Sequence, residues 1–409
     1  MSIKGRFCGQ KLGLRVAFGY MFRPYDPLEL FAALRFNAQE TLPENDAQLQ
    51  REIEVLAEAA NASQTLIRHY IGFEISGQIH LGTGIMSALK IKKLTEAGVE
   101  CVIFLADYHS FLNEKLDGSL ESIRRVAEEY FAPVMLECCR LVGADLNLVK
   151  VVFAQEAYAL LKEEKSFWDY DLHIAKHITQ ARVLKSISIT GRAAGEGVSF
   201  ATLRYPVMQT ADAFFLQTHL VSAGLDQRKA HVLMREVAGS LPVPYRLRIG
   251  REEIKPIASH YHLLHGLGKP VDGQVAKMSK SKPETCIFVH ESEEEIRRKI
   301  KKAYCPLPDL NKSLEENQQE QALNPLLDWC RKMIFPAGLT LRVTRPEKYG
   351  GDVTYTDYES LAADYLAGRL HPGDFKPALA ECLSVWLTPL REEGSVYEKG
   401  LRFLENLNR

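Results

Sequence analysis

Three polar residues on one stretch carry the first chemical signal. In YPVMQTADAFFLQTHLVSAGLDQRK, residues 205–229, Tyr205, Gln209 and Asp212 stand at i, i+4 and i+7. A helix puts them on one face, converging on one spot. Met208, Ala213, Phe214, Phe215 and Leu216 around them indicate a helix embedded in a core. An ionised carboxylate is costly there unless something donates a hydrogen bond to it, and a ligand hydroxyl would do so. A partner arginine or a capping role would account for Asp212 alone, but less readily for three polar groups together. Gly224 then permits a tight backbone before Asp226 and Gln227, a carboxylate and an amide suited to a ribose and to the polar end of an amino acid. Arg228 and Lys229 follow, so phosphate is expected nearby.

A second signal lies upstream. The segment ISGQIHLGTG, residues 75–84, separates an expected strand at His69–Phe73 from a helical pattern in which Ile85, Leu89 and Leu94 recur. Strand, glycine-rich turn and helix form a nucleotide-binding start, because the free N–H groups of a helix N-terminus attract phosphate. The apolar run Cys101–Ala106 reads as a buried parallel strand, ending at the polar ADYHSFLN where such folds place ligands. A third signal is the late segment Lys277-Met278-Ser279-Lys280-Ser281, two lysines in a loop.

The elements that must position these groups are legible in outline. The pattern from Ala38 to about Arg68 is helical, with Pro43 and Asn45 opening it and Leu49, Ile53, Leu56 and Ala60 at helical spacing. Residues from about 116 to 200 are mostly helical, with one strand candidate at Leu148–Phe153, and GRAAGEGVS reads as a connector. LPVPYRL, residues 241–247, reads as a short strand. Near Glu291 a third region begins, where Ser292 and Glu295 suggest a capping box and the following Arg297, Arg298 and Lys299 a solvated charged face. Residues 1–37 form an appendage to which the sequence assigns no role.

With 409 residues, 46% hydrophobic and 25% charged, the chain is long enough for two or three globular domains. A net charge of -1 gives no overall basic field, so nucleic acid would have to be held by local patches. The eight cysteines are scattered without metal-site spacing, which fits reduced thiols in a cytoplasm, and no metal site is expected. No apolar run approaches the roughly 18 residues of a membrane span.

Read together, His80-Leu81-Gly82-Thr83 and Lys277 to Ser281 resemble the paired signatures of class I aminoacyl-tRNA synthetases, in the expected order. In detail the chain is similar to the tyrosyl-tRNA synthetases of archaeal and eukaryotic type. The resemblance spans about residues 38–392 and includes ADYHSFLN, IRRKIKKAYCP, RPEKYGGD and LHPGDFK. It implies an α/β fold: a Rossmann-type (HUP-like) parallel-sheet catalytic domain over 38–290 with the helical insertion, and a helical anticodon-binding domain over 291–409. The family's tyrosine pocket maps onto Tyr70, Tyr205, Gln209, Asp212 and Gln227. ATP would meet Gly72, His80, Gly82, Asp226, Lys277, Ser279 and Lys280, with His80, Thr83, Lys277 and Lys280 stabilising the phosphates during reaction. Arg228 and Lys229 would lie near the tRNA acceptor end, and Tyr349 and Asp374 would take a guanine of the anticodon.

The resemblance further implies ATP as substrate with Mg2+ accompanying it, L-tyrosine and tRNA(Tyr) as partners, and a homodimer joined through the helical middle. Departures stand at Ile75, where the family has proline, at Thr83, at His219 and at Ala223. His219 and Ala223 are expected to adjoin the pocket. They keep two other functions in view: a paralogue adenylating tyrosine or an analogue for another acceptor, and a non-catalytic RNA-binding protein on the same fold.

Overall fold

The computed structural model describes residues 22–191, 199–275, 278, 280, 282–309, 311–392 and 394–407. Six strands form the main sheet: β1 (Ala38–Leu42), β2 (Arg68–Phe73), β3 (Glu100–Leu105), β4 (Val149–Phe153), β5 (Leu220–Gly224) and β6 (Ile257–Tyr261). Their spatial order is β1-β6-β5-β2-β3-β4. All neighbours run parallel except β1, which pairs antiparallel with β6. The chain leaves β2 for β3 on one side and returns to β5 on the other. A crevice therefore opens at the carboxyl ends of β2 and β5, where doubly wound sheets bind ligands.

Helices cover both faces. On one lie α1 (Pro27–Arg35), α2 (Asp46–Ser63) and α3 (Leu81–Glu96), burying Leu30, Leu34, Leu49, Ile53, Ile85 and Leu89 against Ile71, Cys101 and Ile257 of the sheet. On the other lie α4 (Phe200–Phe215) and α5 (Arg228–Ala238), with Phe214, Phe215 and Met234 against Val102, Val221 and Ala258. Strand β3 is buried along its whole length, as its unbroken apolar run requires.

Several local expectations need correction. Ala38–Leu42 is strand rather than helix. Helix α2 starts only after Asn45, whose side chain accepts the Gln48 N–H at 3.0 Å. Around 241–247 the chain makes a single 3-10 turn, Val243–Tyr245. Pro242 and Pro244 lack the N–H groups a ladder needs; a two-residue strand, Arg248–Ile249, follows and pairs with Glu252–Glu253 outside the main sheet. Of the expected appendage, residues 1–21 lie outside the described residues, and the remainder, 22–37, is tied in. The Tyr25 hydroxyl accepts the Ile67 N–H at 2.8 Å, and the buried Lys90 ammonium donates to the carbonyls of Ala33, Leu34 and Phe36 at the end of α1.

The C-terminal part is mainly helical, with α6 (Glu293–Lys302), α7 (Pro372–Trp386) and a small antiparallel pair, Leu341–Val343 with Val353–Tyr355. Ser292 caps α6 by accepting the Glu295 N–H, but the Glu295 carboxylate turns to Arg298 instead of closing the box. Lys299 is no solvated residue. It is buried against Glu291 and donates to the Cys286 carbonyl at 3.1 Å, joining this region to the segment after the late lysine loop.

Candidate active site

At the crevice lies a cavity of about 270 Å³. Its deep wall comes from β2 and α4. Tyr70 is 3% exposed and Asp212 0%; the Tyr70 hydroxyl donates to Asp212 Oδ2 at 3.3 Å, across 142 residues of sequence. A Cβ at Gly72 would stand 2.6 Å from that hydroxyl, so glycine there leaves room for the Tyr70 ring to lie as it does. The Tyr158 hydroxyl donates to Asp212 Oδ1 at 2.5 Å. His109 Nε2 lies 3.5 Å from Oδ2, too far for a good hydrogen bond. Burial drives the Asp212 carboxyl well above the ordinary aspartate range, and the phenols of Tyr158 and Tyr70 oppose that shift. Burial likewise drives His109 down to about 3, so it is neutral.

Helix α4 is fixed at both ends. The Ser199 side chain accepts from Thr202 N–H at its start. At its end Lys162 Nζ donates to the Phe215 carbonyl at 2.6 Å and Arg68 to the Leu216 carbonyl at 2.9 Å. Both donors satisfy carbonyls at the helix end, and the Arg68 charge complements the helix dipole.

The middle of the cavity is amide and carboxylate. Gln209 Nε2 donates to Gln227 Oε1 at 3.4 Å, and Gln227 Nε2 to the Ile189 carbonyl at 2.9 Å. The buried Gln209 Oε1 has no partner among the described residues and is available to a donor in the cavity. The Glu74 carboxylate accepts from Asn113 at 2.8 Å and pairs with Lys115 at 3.3 Å; burial and then the Glu74 charge push the Tyr205 phenol well up. An ammonium group placed here would meet one carboxylate and several amide and phenol oxygens.

The mouth is cationic and glycine-rich. His80 caps α3, its Nδ1 accepting from Thr83 N–H at 3.2 Å, and both residues line the cavity with Gly82. This turn is held by the segment after the lysine loop, through Leu81 N–H to the Ile287 carbonyl and Val289 N–H to the Ile79 carbonyl, each at 3.0 Å. Lys280 reaches over it, donating to Ser76 Oγ at 3.0 Å. Burial lowers its ammonium to about 8, with Glu74 opposing and Lys115 adding to the shift. Asp226 is exposed on the rim, its carboxylate close over Gly224, where a Cβ would come within 2.6 Å of it.

The model of class I tRNA synthetases for tryptophan and tyrosine matches residues 62–388. The tyrosine–tRNA ligase of Pyrococcus abyssi is 44% identical over 342 residues, 80% of this chain and 86% of the relative. That of Thermococcus kodakarensis is 43% identical over 356 residues, 83% and 90%. The chain belongs to the tyrosine–tRNA ligase family.

Among solved structures, this family member is similar to tyrosyl-tRNA synthetase complexed with L-tyrosine from Pyrococcus horikoshii. The TM-score is 0.80 at 39% identity, covering 93% of this chain and 100% of that one. The tryptophanyl enzyme of Aeropyrum pernix, 17% identical with a TM-score of 0.60, shares the fold.

The family's expected residues separate into three groups in this member. Tyr70, Gly72, His80, Gly82, Thr83, Tyr205, Gln209, Asp226, Gln227 and Lys280 all line the one cavity, with Asp212 buried immediately behind Tyr70. Lys277 and Ser279 lie outside the described residues. The remaining four are elsewhere. Arg228 pairs with Glu40 at 2.5 Å and with Glu44, and Lys229 donates to Ser188 Oγ at 2.8 Å. Tyr349 is 60% exposed on the turn Glu347–Tyr349, with the Lys348 ammonium 4.8 Å from its ring centre. Asp374 is in the first turn of α7, where His371 supplies the capping side chain.

The departures resolve unequally. Ile75 uses the N–H that a proline would lack, donating to Ser110 Oγ at 2.8 Å. Ala223 does line the cavity. His219 does not. It stands just before β5, accepting the Arg68 N–H at 2.9 Å on Nδ1 with Nε2 3.2 Å from the Arg248 carbonyl, at the opposite end of the strand from the crevice. Sequence reasoning missed Glu74, His109 and Tyr158. His109 belongs to ADYHSFLN, so its strand-end position was a usable signal; Tyr158 had none.

Proposed function

We propose that this chain activates L-tyrosine with ATP, releasing pyrophosphate, and transfers the tyrosyl group from the adenylate to tRNA(Tyr). The observation that carries the reading is the pairing of a buried phenol with a buried carboxylate, Tyr70 and Asp212, beneath an amide-lined cavity whose mouth holds His80, Thr83 and Lys280. A substrate phenol would donate to Asp212 and accept from Tyr70. Phenylalanine would leave both groups buried without that partner, which costs about 1–3 kcal/mol per group. Gln209, Gln227, Tyr205 and Glu74 would hold the amino acid's polar end.

The substrate carboxylate is already ionised, so its attack on the α-phosphate needs no general base. Negative charge gathers on the phosphates in the transition state. Lys280 and Lys277 would meet it from the late loop, and His80, Thr83 and the N-terminus of α3 from the other side. Gly72 and Gly82 let the nucleotide approach the backbone, Asp226 would take the ribose and Ser279 a phosphate, with magnesium arriving on ATP.

For tRNA, Tyr349 would stack a guanine and Asp374 would accept its two adjacent N–H donors, while Arg228 and Lys229 would flank the acceptor end. The present ion pairs of Arg228 with Glu40 and Glu44, and the hydrogen bond of Lys229 to Ser188, would have to be exchanged for phosphate. A homodimer is supported by the exposed apolar side chains of Leu161, Trp168, Leu172, Leu184 and Phe200 within the helical middle. No helix among the described residues is long and apolar enough to cross a membrane, and a cytoplasmic enzyme fits the reaction.

The test is amino-acid-dependent ATP–pyrophosphate exchange across the twenty amino acids and tyrosine analogues, followed by charging of tRNA(Tyr). Exchange and charging with tyrosine are expected. Exchange without charging, or with an analogue alone, would move the chain to a specialised paralogue. Absence of exchange would leave an RNA-binding protein on a synthetase fold.

A further inference from the structure

The two oxygens of Asp212 are held differently. Oδ2 faces Tyr70 at 3.3 Å and His109 at 3.5 Å. Oδ1 accepts from Tyr158 at 2.5 Å, a length typical of an O–H donor on a charged oxygen. Tyr158 is not part of the cavity wall. It closes the short helix Ala154–Tyr158 that follows β4, and its ring is clamped between Phe167, 3.5 Å away at 10°, and Tyr108, 5.6 Å away at 5°.

We propose that Tyr158 is a positioning residue for amino-acid selection. Its hydroxyl occupies Oδ1 and so leaves Oδ2, beside Tyr70, as the acceptor offered to a substrate phenol; it also keeps Asp212 in the accepting form. This rests on the tyrosine reading above.

The surroundings of Asp212 give the hydroxyl this task. The titratable groups facing it are Tyr70 from β2, Asp107 and His109 from the helix after β3, Tyr158 after β4, Asp171 from the helix Phe167–Ala175, and Tyr205 from α4 itself. Asp107 and Asp171 add negative charge, partly answered by their own partners Arg124 and Arg204. His109 is neutral. The donors that favour an ionised Asp212 are thus the two phenols, and the Tyr158 contact is the shorter. A protonated Asp212 would donate where the substrate phenol must also donate. The rigid clamp on the Tyr158 ring fixes the direction from which Oδ1 is approached, and with it the plane of the carboxylate.

The experiment is Tyr158→Phe, which keeps the clamped ring, assayed by exchange with tyrosine and with phenylalanine from pH 5 to 9. The expected result is a roughly tenfold or greater fall in kcat/KM for tyrosine, with the phenylalanine reaction and the KM for ATP unchanged. The acid limb of the tyrosine profile should move to higher pH, because losing a donor raises the Asp212 pKa. A parental tyrosine-to-phenylalanine ratio and an unmoved limb would reduce Tyr158 to packing. Should the variant fold poorly, 3-fluorotyrosine at position 158, a stronger donor of nearly the same shape, should move the limb to lower pH; no movement, or the reverse, overturns the proposal. Wild-type protein without tyrosine-dependent exchange would bring down the pocket reading and this inference together, whereas normal wild-type exchange with an indifferent Tyr158→Phe would bring down the inference alone.

Discussion

A tyrosine and an aspartate recur at two places in this molecule, in opposite surroundings. Tyr70 and Asp212 are 3% and 0% exposed and joined by a hydrogen bond; Tyr349 is 60% exposed on a turn, and Asp374 is half-buried at a helix start. No hydrogen bond joins the second pair. The buried pair sits where an unpaired polar atom is costly, so on the proposed reading its hydroxyl and carboxylate would discriminate between ligands through what is left unpaired. The exposed pair always has water as an alternative. On the proposed reading, the aromatic face and the bidentate geometry of the carboxylate would provide selection there, and competition with solvent would keep each contact modest.

The largest effect that would break this contrast belongs to Asp212→Ala. Tyr70, Tyr158 and the substrate phenol would all lose their acceptor, at about 1–3 kcal/mol each. Exchange kinetics should show kcat/KM for tyrosine reduced by roughly a thousandfold, with the KM for ATP close to parental. Equal preference for tyrosine before and after would remove Asp212 from the pocket.

Next is the mouth. Lys280→Ala should lower kcat for exchange by about 10²–10³ while leaving the KM for tyrosine within a factor of about two. Burial has lowered the Lys280 ammonium to about 8, and the charged form is the one phosphate needs. In a pH profile kcat/KM for ATP should therefore hold below pH 8 and fall as pH rises through it. That limb should vanish in the variant.

Smaller effects belong to the exposed pair. Asp374→Ala should raise the KM for tRNA by about 10- to 100-fold, the worth of one bidentate base contact at about 1–3 kcal/mol, with amino-acid activation untouched. Unchanged charging would return Asp374 to an unremarkable helix residue. The smallest change is expected of Tyr349→Phe, which keeps the stacking face. Charging assays should find it near parental, in contrast to Tyr70→Phe, where the lost hydroxyl is buried and roughly tenfold or more of tyrosine kcat/KM goes with it.

Periodicity made part of this site readable. Tyr205, Gln209 and Asp212 share a helix face because 3.6 residues per turn fixes the spacing, and α4 runs from Phe200 to Phe215 as that pattern requires. The glycine-rich turn and the apolar run of β3 were readable for similar local reasons. The first and last strands of the sheet were not. Ala38–Leu42 has no apolar alternation of its own and becomes a strand only because β6 offers it an antiparallel partner. In β6, with two serine and histidine positions among five, the sequence hides a central strand that burial in the sheet stabilises.

The sequence alone thus determined which chemical groups the protein owns, their helical register and, through two signature segments, the family to which they belong. Only tertiary structure decided which groups meet. His219, adjacent in sequence to the pocket strand, faces the far end of β5 because strand direction separates the two ends. Tyr158, 54 residues from Asp212, becomes its shortest contact because β4 and the helix after it end beside α4. Spacing along a chain controls what shares a face, but the desolvation of Asp212 exists only where separate elements close over it.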